Sequence, residues 1–478
     1  MGPNVLLVVL DSARADALEP YGAPAGSTPA IARLARSGVA VRDVFATASW
    51  TVPSHGSIFT GMLPRAAGLH GTPGMNPRDV GAALDRLPDR LLPEVLGAAG
   101  YRTRAVSANL WVSEQSGFAR GFDEFVQIDS GRQAKIDAGD LRSRLSWVVE
   151  AARGRVDDGA AEAGQVVDRW IAEPGSGRPF FLFANLVECH SPYLPPRPYG
   201  GLGSTTRAWA AIEARRHLNF ATILRTCAGG EPIAPGALKR MRRLYTGAIR
   251  YLDEWLKHVL GSLERSGRLA ETTVIVTSDH GENLGEGGLI THALSLDDRL
   301  IRVPLVVAGP GAERLAEIRS LGELPRFIAE LAGIESHPWP ADNLPEGAAV
   351  AQLDPPVEAG DPRAAAAAAE WDLDADAIAR LTEPQTCATE GRWKLLRRSG
   401  EEVLFDLARD PLELSPRPVA EADGGTEAAP IELLREALEH PAALAVAERV
   451  PATGGDRAES DPAERRSLED RMRLLGYL

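Results

Sequence analysis

The stretch "NVLLVVLD", residues 4–11, is the strongest indication of the fold, because an unbroken apolar run joins Asn4 to Asp11. A continuous run of valine and leucine is typical of a β-strand that is buried on both faces of a parallel sheet. Ligands of such sheets bind at the carboxyl ends of the strands. The sequence therefore predicts that Asp11 lies at the functional edge of a buried sheet.

Further apolar runs repeat this pattern along the chain. They are "YRTRAVSAN" (101–109), "RPFFLFANLVE" (178–188), "TTVIVTSD" (272–279) and "VPLVVAGP" (303–310). Stretches with helical spacing lie between them, and an alternation of strands and helices favours a parallel sheet that helices cover on both faces. We therefore predict an α/β fold with a mostly parallel sheet flanked by helices.

The sequence changes character near residue 349, where it becomes rich in proline and alanine. The later stretch "TCATEGRWKLLRRSGEEVLFDLARDP" (386–411) alternates apolar and polar residues around the turn "RSGEE", which predicts an antiparallel hairpin. We expect Lys394 on a solvated face of this hairpin. The prediction is a large α/β domain over residues 1–375 and a smaller C-terminal α+β subdomain over 376–478, with an antiparallel sheet and a terminal helical tail.

Charge and cysteine content narrow the possible partners. The 478 residues include 52 Lys and Arg against 66 Asp and Glu, a net charge of −14. This acidic balance, without any dense basic run, argues against nucleic acid as a partner. The N-terminal apolar run is too short for a membrane span and lacks the basic flank of a signal peptide, so we expect no membrane insertion. Three scattered cysteines indicate a reducing compartment and hence a cytoplasmic location. The sequence specifies no oligomeric state.

Polar residues at the predicted strand ends form a possible metal site. Asp279 and His280 follow one strand directly, and Asp11 follows another. Carboxylate and imidazole groups at a sheet edge suit a divalent cation. Thr51, in "TVPSH" (51–55), could supply the last ligand through its hydroxyl, which the metal would deprotonate and so make nucleophilic. The prediction is one divalent ion held by Asp11, Thr51, Asp279 and His280.

An attack on a sulfate or phosphate ester builds negative charge that positive groups must stabilise. The candidates for this catalytic role are His55, His190 and His292, and Asn109 is a candidate substrate-binding donor. A helix that starts after Pro53 would also direct backbone N–H groups at an anion. For His55 there is a structural alternative, in which its ring holds the loop by bonding to backbone.

Several of these stretches together give the chain a family resemblance. It resembles the sulfatase family of the alkaline phosphatase superfamily, through the motifs "NVLLVVLDSARADALEPYG", "TPAIARLARSGVAV", "TVPSHGSIFTG", "GYRTRAVSAN", "GFARGFDEF", "HSPYLPP", "TSDHGENLGEGG", "RVPLVV" and "WKLLRRSGEEVLFDLARDP". The resemblance implies an alkaline-phosphatase-like catalytic domain and a small C-terminal subdomain that contains the hairpin. It also implies a metal bound by Asp11, Thr51, Asp279 and His280, with Thr51 at the nucleophile position and His190 and His292 around the ester oxygens.

The chain departs from the family pattern at three places. Formylglycine sulfatases have Cys or Ser where Thr51 stands, and Arg where His55 stands; threonine cannot be oxidised to the aldehyde that those enzymes use. A threonine alkoxide resembles the nucleophile of the superfamily's phosphodiesterases, phosphoethanolamine transferases and lipoteichoic acid synthases. Ser12 replaces a second Asp ligand, which leaves calcium, magnesium, manganese and zinc all open. Residues 107–109 replace the family's Lys-x-His element.

These observations favour a metal-dependent, sulfatase-like hydrolase that cleaves a small anionic sulfate or phosphate (di)ester through Thr51. One alternative is a transferase that passes a phosphoryl or sulfuryl group to another small molecule in biosynthesis. Another is a non-catalytic protein that uses the same fold to bind an anion.

Overall fold

A computed structural model of the chain describes residues 2–70, 77–87, 90–128, 141–173, 177–340, 344–355, 357, 360–419 and 430–448. The predicted terminal helix, residues 466–478, lies outside the described residues.

Strands form a large sheet, a C-terminal sheet and a short hairpin. Their bounds are β1 Asn4–Leu10, β2 Val39–Val41, β3 Arg102–Ser107, β4 Glu124–Gln127, β5 Phe180–Leu186, β6 Thr272–Thr277, β7 Asn283–Leu284, β8 Ile290–Thr291, β9 Leu305–Ala308, β10 Ala349–Leu353, β11 Gln385–Thr389, β12 Trp393–Arg398, β13 Glu401–Asp406 and β14 Arg417–Pro418.

The large sheet has the strand order β2-β9-β6-β1-β5-β3-β4. The strands from β6 to β4 run parallel, and the predicted strand β1 lies inside this block, paired with β5 and β6. The stretch 303–310 does form a strand, β9, but it runs antiparallel to both β6 and β2. The mostly parallel α/β sheet that the sequence predicts is therefore confirmed.

Helices lie between and beside the strands. Their bounds are α1 Pro29–Ser37, α2 Thr51–Thr60, α3 Pro77–Leu84, α4 Leu92–Ala98, α5 Leu141–Arg153, α6 Ala160–Ala172, α7 Ser204–His217, α8 Phe220–Cys227, α9 Pro235–Arg265, α10 Asp298–Ile301, α11 Leu324–Leu331, α12 Pro362–Trp371, α13 Ala375–Thr382, α14 Ile431–Glu439 and α15 Pro441–Leu444. No helix within these described ranges combines the length and the apolar character that a membrane span requires.

The core has a layer on each face of the large sheet, because successive side chains of a strand point to opposite faces. Leu6, Val8 and Leu10 of β1 belong to one buried cluster, with side chains of α6 and α9. Val5, Leu7 and Val9 belong to the other, with side chains of α2, α4 and α11. This burial on both faces explains the continuous apolar run of β1. It also places the N-terminus of α2 over the carboxyl ends of the strands.

The C-terminal sheet is an antiparallel meander with the strand order β10-β11-β12-β13-β14. The predicted hairpin is β12–β13, and its turn residues Ser399 and Gly400 both have positive φ, 49° and 82°. Because β10 belongs to this sheet, the sheet includes residues before 376; the division at residue 375 stays a prediction. The expectation that Lys394 is solvated is wrong, since its side chain is only 1% exposed.

Candidate active site

Parallel pairing of β1 and β6 brings two carboxylates and an imidazole together. Val9 of β1 pairs with Thr277 of β6, and Asp11 and Asp279 each lie two residues further on. One ligand atom from each of Asp11, Asp279 and His280 lies within 4.8 Å of the other two. The three side chains are fully buried. The predicted convergence of these residues is therefore present in the structure.

The ring of His280 presents a free nitrogen to the two carboxylates. Its Nδ1 lies 2.8 Å from the carbonyl oxygen of Gly281, which can only accept, so Nδ1 carries the hydrogen. Its Nε2 lies 3.4 Å from Asp279 Oδ2 and 3.9 Å from Asp11 Oδ1. A backbone bond at one ring nitrogen is the usual way to orient a histidine ligand. Gly281 permits the sharp exit after His280, because a Cβ there would lie 2.0 Å from the Arg299 carbonyl oxygen.

Ser12 connects the two carboxylates through a left-handed turn. Its φ is 63°, a conformation that residues with a Cβ rarely adopt. The Ser12 amide donates to Asp279 Oδ1 at 3.1 Å, and the Ser12 hydroxyl donates to Asp11 Oδ1 at 3.0 Å. The sequence marked Ser12 only as a departure from the family, and its role in orienting both acids was missed.

Thr51 is the first residue of α2, so the helix begins before Pro53 and not, as the sequence predicted, after it. The side chain is fully buried, and its hydroxyl has no hydrogen-bond partner among the described residues. Ser54, one turn further, donates its hydroxyl to the Asp279 carbonyl oxygen at 2.6 Å and so joins α2 to the end of β6. This contact joins the first turn of α2, which begins at Thr51, to residue 279 of the acidic cluster, a name used here for Asp11 and Asp279.

His55 reinforces the same junction. Its Nδ1 lies 3.0 Å from the Thr51 carbonyl oxygen and 3.3 Å from Asp279 Oδ2. Burial lowers the pKa of His55, but the neighbouring carboxylates of Asp279 and Asp11 outweigh burial and raise that pKa above its ordinary value. The ring packs edge-on against Phe118 and Phe183, with centroids 6.2 and 6.3 Å away. These contacts correspond to the structural alternative for His55; direct action on an ester oxygen stays a prediction.

His190 and His292 lie beside the acidic cluster. The His292 ring centroid is 4.4 Å from that of His280 and 4.8 Å from that of His190, and both predicted residues are almost completely buried. His190 Nδ1 lies 3.0 Å from the Ser191 carbonyl oxygen, so its Nε2 is the nitrogen left for another partner. Burial, together with the neighbouring imidazole of His280, lowers the pKa of His292 to about 3. The predicted histidines are thus gathered on one side of the site.

Glu282 is a member of the site that sequence reasoning missed. Its side chain is fully buried, and Oε1 lies 3.0 Å from His292 Nδ1. Burial raises the pKa of Glu282 to about 7. The available signal was its place in "SDHGEN", two residues after His280 of the predicted metal-ligand pair, but an acidic residue in a polar loop is ordinarily solvated.

Asn109 contacts the acidic cluster from the end of β3. Its Nδ2 donates to Asp11 Oδ2 at 2.6 Å, and its Oδ1 accepts from the Trp111 amide at 2.8 Å. Both ends of the carboxamide are therefore engaged within the protein. In this arrangement Asn109 orients Asp11, and its predicted contact with substrate stays a prediction.

The amino-acid sequence of the chain matches a known protein family. A family model described as Sulfatase matches residues 3–334. The choline-sulfatase of Rhizobium meliloti is 30% identical over 253 residues, which make up 50% of this chain and 46% of that protein. The chain thus aligns with slightly less than half of this relative's length.

Solved structures share the fold at lower identity. The phosphonate monoester hydrolase of Agrobacterium radiobacter superposes with a TM-score of 0.58 at 19% identity, covering 88% of this chain and 92% of the other. A protein solved in complex with its substrate, D-glucosamine-2-N,6-O-disulfate, gives 0.60 at 17% identity, covering 87% and 93%. These similarities confirm the predicted fold class.

Proposed function

The chain belongs to the sulfatase family, a family of ester-cleaving hydrolases, and we propose that it is a metal-dependent hydrolase of a small sulfate or phosphate ester with Thr51 as the nucleophile. The observation that carries the proposal is the Thr51 hydroxyl, fully buried at the start of α2 and without a hydrogen-bond partner. A buried hydroxyl without a partner costs free energy, and such groups occur at sites that bind or react.

The residues present fit a divalent ion. Besides the Thr51 hydroxyl, His280 Nε2 is buried without a hydrogen bond among the described residues, and Asp279 Oδ2 is buried with His55 Nδ1 at 3.3 Å and His280 Nε2 at 3.4 Å beside it. Carboxylate oxygen, hydroxyl oxygen and imidazole nitrogen are all ligands that divalent ions accept. Asp11, Thr51, Asp279 and His280 would hold the ion. When bound, it would supply positive charge that favours the deprotonated hydroxyl and neutralises an anionic ester.

Thr51 would begin the reaction by attacking sulfur or phosphorus. A bond forms between Oγ1 and that atom while the bond from the same atom to the leaving oxygen breaks. The Thr51 hydroxyl loses its proton, and the leaving oxygen gains one. Attack of water on the covalent intermediate then restores the hydroxyl and releases sulfate or phosphate from a monoester, a phosphate monoester from a phosphodiester, or a phosphonate from a phosphonate monoester. Splitting hydrolysis into two easier steps is the advantage of a covalent nucleophile.

His190 and His292 are placed to contact the oxygens of the ester. The Nδ1 of each has a partner within the protein, the Ser191 carbonyl oxygen for His190 and Glu282 for His292, and the two ring centroids lie 4.8 Å apart. Hydrogen bonds to oxygens that gain negative charge stabilise the transition state of such reactions. A neutral ring that donates through Nδ1 carries no hydrogen on Nε2, but an anionic ester beside the rings would favour their protonated form, in which Nε2 donates. In that form, we assign these two residues to charge stabilisation and to protonation of the leaving oxygen.

The identity of residue 51 bears on the class of ester. A threonine side chain cannot yield the aldehyde of a formylglycine sulfatase, whereas its hydroxyl can form a phospho-threonine or sulfo-threonine intermediate. The side chains around the site are almost completely buried, with His292 6% exposed and His190 3% exposed. This enclosure favours a small substrate. We also propose a cytoplasmic location for the protein.

Assays of the purified protein would test the proposal. Wild type and Thr51→Ala are compared on a phosphodiester, a phosphonate monoester and an aryl sulfate, after EDTA treatment and after reloading with calcium, magnesium, manganese or zinc. We expect activity on at least one ester to depend on an added ion and to disappear in Thr51→Ala. Mass spectrometry of an acid-quenched reaction should place the adduct on the peptide that contains Thr51. Equal turnover by both proteins would exclude Thr51 as the nucleophile.

A further inference from the structure

The left-handed turn at Ser12 needs support from its surroundings. A Cβ disfavours positive φ, so such a residue persists only where neighbouring contacts fix it. Every polar group of Ser12 has a partner: the amide and the hydroxyl bond to Asp279 and Asp11, and the carbonyl oxygen accepts a third bond. The orientation of both acids therefore depends on the turn that Ser12 makes.

The third bond comes from Tyr245, on the long helix α9. Its hydroxyl donates to the Ser12 carbonyl oxygen at 2.8 Å and accepts from the Arg14 amide at 2.8 Å. One hydroxyl thus fixes the backbone on both sides of Ala13. The phenol ring is 2% exposed and packs edge-on against Tyr193, with centroids 5.5 Å apart. These contacts leave the hydroxyl little freedom to move away from the turn.

We infer that Tyr245 is a positioning residue of the metal site: it holds the Ser12 turn, and Ser12 in turn orients the carboxylates of Asp11 and Asp279. Tyr245 itself touches neither acid through any hydrogen bond recorded for the described residues, so its effect passes through Ser12. The inference rests on the divalent-ion site of the proposed function. Residues that orient ligands in this way typically affect metal affinity by about 10- to 100-fold.

The substitution Tyr245→Phe removes the hydroxyl and keeps the ring. The matched control is Tyr251→Phe on the same helix, because the Tyr251 hydroxyl bonds to Asp157 and not to the site. Apo protein is titrated with Mn²⁺, and free Mn²⁺ is followed by electron paramagnetic resonance; thermal unfolding of each apo variant is recorded beside it. We expect Tyr245→Phe to bind Mn²⁺ about tenfold more weakly and Tyr251→Phe to stay within roughly twofold of wild type.

A second variant keeps the inference testable if Tyr245→Phe does not fold. Ser12→Ala retains Tyr245 and its two backbone bonds but loses the hydroxyl that orients Asp11, so we expect Mn²⁺ binding about threefold weaker or worse. Wild-type affinity in Tyr245→Phe, or equal weakening in Tyr251→Phe, would overturn the inference while leaving the proposed function intact. Wild-type affinity in Ser12→Ala would exclude transmission to Asp11 through the Ser12 hydroxyl. Absence of Mn²⁺ binding by wild type would overturn the proposed metal site together with the inference.

Discussion

At the scale of single residues, the site is built from polar atoms that the fold buries without giving them partners. Among the described residues, Thr51 Oγ1 and His280 Nε2 belong to this group, whereas Asp279 Oδ2 is contacted by His55 Nδ1 at 3.3 Å. A buried polar atom without a partner costs about 1–3 kcal/mol. The free energy of unfolding of the apo protein is therefore reduced at a place where a bound ligand would restore it. This effect on stability can be measured separately from catalysis.

Replacing Thr51 with valine should change both the stability of the apo protein and the stability gained on adding an ion. Thr51→Val keeps the shape of the side chain and removes the unpartnered hydroxyl, so the apo protein should become more stable by about 1 kcal/mol. The gain in stability on adding an ion, about 2.7 kcal/mol at a hundred times Kd for wild type, should shrink in the variant. Urea denaturation with and without the ion measures both effects.

Thr47→Val is the matched control for this prediction. Thr47 is equally buried, but its hydroxyl donates to Ser57 Oγ at 2.7 Å. Losing that bond should destabilise the protein by about 1 kcal/mol. If Thr51→Val destabilises the apo protein as Thr47→Val does, the Thr51 hydroxyl has a structural partner and is not reserved for a ligand.

Glu282 offers a second prediction, about activity. Glu282→Leu removes the acceptor for His292 Nδ1, whereas Glu282→Gln keeps an oxygen there. Misoriented groups of this kind typically lower rates by about 10²-fold, so we expect kcat to fall in the order wild type, Gln, Leu, with KM changing less. Steady-state kinetics on the best ester provides the measurement. A leucine variant with the wild-type kcat would show that His292 does not need Glu282.

At the scale of elements, α1 depends on a cap from a distant helix. Its N-cap residue, Thr28, makes no side-chain cap, and Asp253 of α9 instead accepts from the amides of Ala30 and Ile31 at 3.0 and 2.9 Å. A carboxylate at this position satisfies two free N–H groups and also complements the helix dipole. The cap joins α1 to α9 on the face of the sheet that lacks α2.

Asp253→Ala should therefore cost roughly 2 kcal/mol of unfolding free energy, because the cap is charged and buried. Glu254→Ala is the control: Glu254 is exposed and pairs with Lys257, an arrangement worth only about 0.5 kcal/mol. Urea denaturation compares the two variants. A loss no larger than that of the control would mean that α1 does not depend on this cap. The kcat of both variants should match wild type.

The elements that sequence reasoning found are those whose pattern has one physical explanation. Continuous apolar runs identify strands buried on both faces, which is why β1, β5 and β6 were predictable. The apolar run of β9 gave no indication of its antiparallel direction, because the hydrophobic pattern of a buried strand is the same whether the strand runs parallel or antiparallel to its neighbours. The convergence of Asp11, Asp279 and His280 was predictable because these residues closely follow strong strands. Tertiary partners such as Tyr245 for Ser12 come from distant segments, and no local pattern indicates them.

At the scale of the whole molecule, the C-terminal sheet contacts the segment that follows His292. Lys394 of β12 donates to the Leu296 carbonyl oxygen at 2.8 Å and forms an ion pair with Glu413. Glu413 also accepts from the Asp298 amide, at the start of α10. Both side chains are almost fully buried, at 1% and 4% exposed. A lysine in an alternating hairpin is ordinarily solvated, so only the docked sheet explains this burial.

Variants of the Lys394–Glu413 pair should distinguish the cost of leaving one buried charge without a partner from the effect of removing both charges. Lys394→Met leaves a buried carboxylate without its partner, so we expect a loss of about 3–5 kcal/mol in the free energy of unfolding. The double variant Lys394→Met/Glu413→Gln removes that charge and keeps an acceptor for Asp298, so it should recover at least part of the loss. Arg397→Met on the same strand is the control, because its partly exposed pair with Glu402 is worth less than about 1 kcal/mol. Urea denaturation of all four proteins measures the difference. If Lys394→Met costs no more than Arg397→Met, this pair does not hold the C-terminal sheet to the segment after His292.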